Sequence, residues 1–143
     1  MAGDPYNLDR FVEAQRGVFD QACAELRRGR KTGHWMWFIF PQIAGLGFSA
    51  TSQHYAIRSL DEARTYLKHP TLGPRLREIS QILLSVNGKT AHDIFGSPDD
   101  MKLRSSMTLF AHATEDNAIF LEVLRKYFNG VEDERTVELI ELR

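Results

Sequence analysis

Three groups of side chains in this sequence have the types and spacing to do chemistry. The first is His34-Trp35-Met36-Trp37-Phe38-Ile39-Phe40-Pro41-Gln42, which holds both tryptophans of the chain and closes an apolar block with a polar group at each end. An indole such as Trp35 or Trp37 can stack on a planar ring, and Gln42 offers both a donor and an acceptor. His34 can supply a proton or a hydrogen bond near neutral pH. Backbone amides near Gly45 and Gly47, where glycine lets the chain approach a ligand closely, can meet an anionic group. The second group is Ser52-Gln53-His54-Tyr55, in which His54 is a candidate acid or base that no adjoining carboxylate orients. The third is Lys102, Ser105 and Ser106, whose i, i+3 and i+4 spacing places one cation and two hydroxyls on one helical face, as a phosphate or carboxylate would require. The expected catalytic residues are therefore His34 and His54. The expected ligand-binding residues are Trp35, Trp37, Gln42, Tyr55, Lys102, Ser105 and Ser106.

Each group also has a purely structural reading. The aromatic block can be the densest part of the core, its tryptophan N–H groups satisfied by backbone. It is far shorter than the ~20 apolar residues that cross a bilayer, so it belongs inside the fold. Residues 52–55 can cap and solvate a helix end. Two consecutive serines in mid-helix are poor helix formers, which points to a reason other than helix building.

These groups need elements to position them, and the pattern predicts helices. Leu8, Phe11, Val12, Val18, Phe19, Ala22, Cys23 and Leu26 form one apolar stripe at helical spacing, with Asn7 able to cap it and Gly29 to end it. Cys23 lies on that stripe, as core filler. Ser59-Leu60-Asp61-Glu62 reads as a capping box opening a helix that must stop near His69-Pro70. Gly73-Pro74 opens the next, with Leu76, Ile79, Ile82, Leu83 and Val86 inward and Asn87-Gly88 closing it. Thr90 to Phe95 reads as one helical turn. Ser97-Pro98-Asp99-Asp100 opens a helix running to about Ala113, with its acidic residues against the positive end of the dipole. Thr114 is expected to cap a helix carrying Phe120, Leu121, Leu124, Tyr127 and Phe128, and Asp133 a last one carrying Val137, Leu139 and Ile140. No hairpin signal appears, and residues 35–40 read equally as a buried strand or a helical turn. The expected fold is mainly α: a single domain, residues 1–143, built as a bundle of about six to seven short helices with little or no sheet.

Composition narrows the function classes. With 43% apolar and 26% charged residues the chain is that of an ordinary globular protein, and a net charge of −1 gives no global pull toward nucleic acid. The acidic carboxyl-terminal segment reads as a solvated helical face. A single cysteine excludes an internal disulfide and fits a reducing compartment; with no secretory signal visible, a cytoplasmic location is expected. The five histidines lack zinc-helix spacing, and there is no phosphate-binding loop, nucleophile elbow or dinucleotide fingerprint, so no metal and no cofactor is expected. The run Arg27, Arg28, Arg30, Lys31 beside the tryptophans has the composition of single-strand binders, though cations at a helix end equally serve the dipole.

The segment from Gly29 through Gln42, then Gly45-Leu46-Gly47, Tyr55, Leu72-Gly73-Pro74-Arg75-Leu76, Ile94-Phe95-Gly96 and Lys102 to Phe110 resemble, across nearly the whole chain, a bacterial family known as a domain of unknown function (DUF1810), whose members are often mislabelled calpastatin. The resemblance implies a small, mainly helical domain and names no activity; nothing here is like a disordered protease inhibitor. A shorter stretch is similar to the NADAR enzymes, which act on ADP-ribose-linked N-glycosides. Phe38-Ile39-Phe40-Pro41, then Thr51-Ser52-Gln53-His54-Tyr55, and Phe110, which matches the phenylalanine at the end of a later helix in that pattern, carry that similarity. Gln53 stands where that pattern has glutamate, and a neutral amide cannot act as the general base of a hydrolysis.

The expectation is thus an aromatic-lined pocket for a nucleotide-like or planar anionic small molecule, with an ADP-ribose-type N-glycosidic bond as the implied substrate of any hydrolase activity. Two alternatives stay open: a non-catalytic interaction protein whose aromatic segment is only core, and a single-stranded nucleic-acid binder. No membrane partner is expected, and the sequence does not fix the oligomeric state.

Overall fold

In a computed structural model, residues 3–142 are described, and they form helices joined by short loops. In chain order these are α1 (Asp9–Gln15), α2 (Phe19–Arg27), α3 (Met36–Ile39), α4 (Ala50–His54), α5 (Leu60–Lys68), α6 (Leu72–Ser85), α7 (Ala91–Phe95), α8 (Asp99–Ala113), α9 (Ala118–Phe128) and α10 (Glu134–Leu142). Ten helices among the described residues exceed the six to seven expected, for local reasons. The stripe from Leu8 to Leu26 is broken at Gly17, whose φ of +74° no helix can hold, so one expected helix becomes α1 and α2. Asn7 does not cap it; the Asp4 carboxylate accepts from the Leu8 and Asp9 amides at 2.7 and 2.9 Å. Residues 36–39 and 50–54 form the two further helices, too short to leave a periodic signal.

Where a start signal is local, the chain folds as read. Ser59 Oγ accepts from the Glu62 amide at 3.1 Å, although the Glu62 carboxylate reaches back to the Arg58 amide instead of closing the box on Ser59. Thr90 and Asp93 form the reciprocal box at α7, and Asp133 Oδ2 accepts from the Thr136 amide at 2.9 Å at α10. Thr114 does not open the next helix: it ends α8, its hydroxyl accepts from the Asp116 amide, and α9 starts at Ala118. Proline at 98 precedes the first turn of α8, which begins at Asp99. No strand occurs among the described residues, only an isolated parallel bridge between Ile43 and Ile57.

Helix α8 is the axis of the molecule, packed by α5, α7, α9 and α10. Leu103, Met107, Leu109 and Phe110 are buried on it together with Ser105, Ser106 and Thr108. Small hydroxyl side chains let neighbours approach on every side. Two of them are satisfied within the helix, Ser105 donating to the Met101 carbonyl at 3.1 Å and Thr108 to that of Arg104 at 2.8 Å. A chain of rings links the elements around this axis. It runs Phe38–Tyr55–Phe11–Tyr66–Phe110–Phe120 at centroid spacings of 5.4, 5.8, 5.2, 5.3 and 6.0 Å. Cys23 is buried in the core, and burial first, then the Glu78 charge, pushes its thiol up to about 11, away from nucleophile chemistry. No helix among the described residues is long and apolar enough to cross a membrane.

Helices α5 and α6 meet at Gly73, where a Cβ would lie 2.0 Å from the Leu67 carbonyl oxygen. That backbone cannot yield as a flexible side chain would. Gly73→Ala is expected to lower the unfolding free energy by about 3 kcal/mol in urea denaturation. An unchanged midpoint would mean that the α5–α6 corner is not held at this distance.

Candidate functional site

The aromatic segment is placed by a carboxylate upstream of it. Glu25 faces inward from α2 with 1% of its surface exposed. Its Oε1 accepts from the Thr32 amide at 2.7 Å, the Gly33 amide at 2.9 Å and Trp35 Nε1 at 2.9 Å, and its Oε2 accepts from Gln21 Nε2 at 2.8 Å. Burial pushes this carboxyl upward, but the hydrogen bonds from Gly33, Thr32, Gln21 and Trp35 together outweigh it and hold the group at about 2. Gly33 has no room for a side chain, because a Cβ there would stand 2.7 Å from the Trp35 ring. The loop is therefore wound tightly on one anion, and α3 starts from it.

From α3, Met36 and Ile39 enter the core with Trp35 and Phe40, while Trp37 turns the other way. It forms one wall of a cleft of about 560 Å³ that also collects Gln42, Tyr55, Lys102 and Ser105, five of the residues singled out by type and spacing. The cleft floor is fixed by the parallel bridge, in which Ile57 N donates to the Gln42 carbonyl and Ala44 N to the Ile57 carbonyl, both at 2.8 Å. Gly45, Leu46 and Gly47 form the facing loop, as expected of permissive chain. Lys102 Nζ stands 4.8 Å over the Trp37 ring and 3.3 Å from Asp99 Oδ1. Ser52 and Gln53 line the same cleft, held by a Ser49–Ser52 hydroxyl pair at 2.8 Å and by Gln53 Nε2 donating to the Phe48 carbonyl at 2.9 Å.

Other expected residues lie elsewhere. Trp35 is buried, its N–H given to Glu25, so it supports the cleft from behind. His34 is exposed and does not contribute to the cleft wall. His54 packs its ring edge-on to Tyr55 at 4.6 Å but lines a neighbouring cleft of about 370 Å³ with Tyr6, Arg10, Arg58 and Glu62. Ser106 points into the core, where its hydroxyl finds no partner among the described residues. Of the basic run, Lys31 turns inward to Asp99 Oδ2 at 2.8 Å, so the run does not present four solvent cations.

Sequence reasoning missed Arg58 and Asp133, both on the wall of the main cleft. Arg58 borders both clefts. Asp133 carried a legible signal, as a helix cap, but that signal hid its second position at the cleft. With Lys102 and Arg58 as cations, Trp37 and Tyr55 as rings and Gln42, Ser52 and Gln53 as neutral donors and acceptors, the cleft can recognise a flat group that bears an anion. Its volume is in the range of small-molecule sites. No group of three or more His, Cys, Asp or Glu side chains converges among the described residues.

Comparison with known proteins agrees with the fold. The chain is similar to the crystal structure of the conserved hypothetical protein Rv1873 from Mycobacterium tuberculosis, with a TM-score of 0.96 and 53% identity over 98% of this chain and 100% of that one. No curated protein matches. A family model described as "Protein of unknown function (DUF1810)" matches residues 5–140, and the chain belongs to that family.

Proposed function

We propose that the cleft between Trp37, Tyr55 and Lys102 binds a nucleotide-like or other planar anionic small molecule. The observation that carries this reading is the ammonium of Lys102 poised 4.8 Å over the Trp37 ring inside a cleft that also presents Arg58 and Gln42. A ring stacked on the indole would have two cations within the same walls for its anionic group. Any hydrolysis of an ADP-ribose-type N-glycosidic bond there would call on Asp133, the carboxylate on the wall, because Gln53 is neutral and His34 and His54 lie outside it.

Titration calorimetry with ADP-ribose and AMP tests the binding. Lys102→Ala and Trp37→Ala should each weaken affinity at least tenfold, roughly 1.4 kcal/mol. The melting temperature of Lys102→Ala should stay within a degree or two, since its side chain is partly exposed. Absence of any binding by the wild type, together with no free ADP-ribose released from ADP-ribosylated nucleobases, would sink the reading. One observation favours the interaction-protein alternative, in which the aromatic segment is core: Trp35, Met36, Ile39 and Phe40 are buried. Loss of ligand binding only in parallel with melting temperature would favour that alternative.

A further inference from the structure

Two lysines from distant parts of the chain share one carboxylate. Asp99, the first residue of α8, presents Oδ2 to Lys31 at 2.8 Å and Oδ1 to Lys102 at 3.3 Å. Each ammonium also stands over a tryptophan ring, Lys31 5.0 Å from Trp35 and Lys102 4.8 Å from Trp37. The two differ in freedom. The Lys31 side chain is 8% exposed and donates as well to the Gly33 carbonyl at 2.5 Å, whereas that of Lys102 is 23% exposed and lines the cleft.

We propose that Asp99 is a positioning residue that holds Lys102 over Trp37, and that an anionic group entering the cleft takes Lys102 from it while Lys31 stays behind to neutralise the carboxylate. This rests on the reading of the cleft as a site for a planar anion. Removing one partner of a buried ion pair is ordinarily costly because the other charge is left uncompensated. Here the longer and more exposed contact, between residues three apart on one helix, is the one to break. Such contacts are weak. The shorter contact to the buried Lys31 remains. A ring stacking on the face of Trp37 that carries the ammonium displaces Lys102 in the same movement, so ring and anion are recognised together.

The charges then dictate opposite effects for two substitutions of neighbouring groups. Asp99→Asn leaves two cations with no carboxylate between them, which frees Lys102 and raises the local positive potential. Lys31→Met leaves Asp99 to Lys102 alone, which holds the ammonium more tightly and cancels its charge. Arg58 and Asp133 face the same cleft and are untouched by either change.

The first measurement needs no ligand: the rate of acetylation of Lys102 by acetic anhydride, read by peptide mass spectrometry. It should rise roughly three- to fivefold in Asp99→Asn and fall by a similar factor in Lys31→Met, the scale of one partly exposed ion pair. Asp99→Glu should restore the wild-type rate. In calorimetry with ADP-ribose, the same two variants should bind more tightly and more weakly, respectively, by similar factors. Equal acetylation rates in the wild type, Asp99→Asn and Lys31→Met, or affinities of those two variants that move in the same direction, overturn the positioning role. The expected order of acetylation rates in a protein that binds neither ADP-ribose nor AMP supports the positioning of Lys102 and overturns the reading of the cleft.

Discussion

Glu25→Ala is expected to lower the unfolding free energy by about 3 to 5 kcal/mol, as for a buried charge whose partners are stranded. The substitution deletes the acceptor of the Thr32 and Gly33 amides and of Trp35 Nε1 at once, at a position only 1% exposed. Against a typical stability of about 5 to 15 kcal/mol, such a loss is a large fraction of the whole. Glu25→Gln keeps an acceptor oxygen of the same shape and should cost about 1 to 2 kcal/mol. The pair of variants also isolates a pH effect. The carboxyl is held at about 2 in the folded protein against an ordinary 4.5, so the unfolded chain takes up the proton first. Its contribution is fully present above pH 4.5 and is lost as pH falls from 4.5 towards 2. At about 1.4 kcal/mol per pH unit this amounts to about 3 kcal/mol. Denaturation followed by tryptophan fluorescence should show that loss in the wild type and not in Glu25→Gln. Equal acid sensitivity in both would place the acid-labile contact elsewhere.

Glu25 also shows why the site was only partly legible in the sequence. Type and spacing found the segment that begins at His34, but the group that folds it lies on the inner face of another helix, ten residues before the Trp35 whose indole it holds. The signal that could have revealed it is an acid sitting with Ala22, Cys23 and Leu26 on the buried face of α2. Helix starts governed by neighbours, as at Ser59, Thr90 and Asp133, could be read because the capping atoms are three residues apart. The breaks that depend on tertiary contact could not be. Four residues of α3 do not hold a helix by propensity; the bond from Trp35, its first flanking residue, to Glu25 and the neighbouring rings place it. The start of α4 is local, Ser49 Oγ accepting from the Ser52 amide at 3.1 Å, but five residues are too few to leave a periodic stripe.

The expected face of Lys102, Ser105 and Ser106 makes the same point at finer scale. At 100° per residue, positions 105 and 106 fall on opposite sides of 102, so a shared face is consistent with either serine as its partner. Packing decides between them. Ser105 borders the cleft with Lys102, while Ser106 turns into the core. Arg58 and Asp133 reach the cleft from other elements, and no local spacing could bring them to it.

Arg10→Met should be about as damaging as loss of Glu25, roughly 3 to 5 kcal/mol, and for a related reason. The Arg10 side chain, 9% exposed, pairs with Glu62, 2% exposed, at 2.8 Å. It also donates to the carbonyls of Tyr6 at 2.6 Å, Asn7 at 2.7 Å, His54 at 2.8 Å and Ala56 at 2.9 Å. One guanidinium thus satisfies four carbonyls from two separated segments and one carboxylate, a geometry that lysine cannot reproduce. Removing it leaves Glu62 buried with only the Arg58 amide as donor to its Oε1, and the Ser59 helix start loses its anchor. Glu62→Leu alone should also be destabilising, because Arg10 is then the uncompensated charge. The double variant Arg10→Met, Glu62→Leu should be more stable than the sum of the two losses predicts, by at least 1 kcal/mol in a double-mutant cycle. Additivity would mean that the carbonyl contacts, not the ion pair, carry the effect. The consequence for the cleft separates this cation from Lys102. His54 and Ala56 flank Tyr55, whose ring leans on Phe11 and Phe38, so Arg10 holds a cleft wall without touching the cleft it serves. Arg10→Met should therefore reduce ADP-ribose affinity and melting temperature together, whereas Lys102→Ala reduces affinity alone. A destabilised Arg10→Met protein with unchanged affinity, measured well below its melting temperature, would show that Tyr55 keeps its place through its ring contacts.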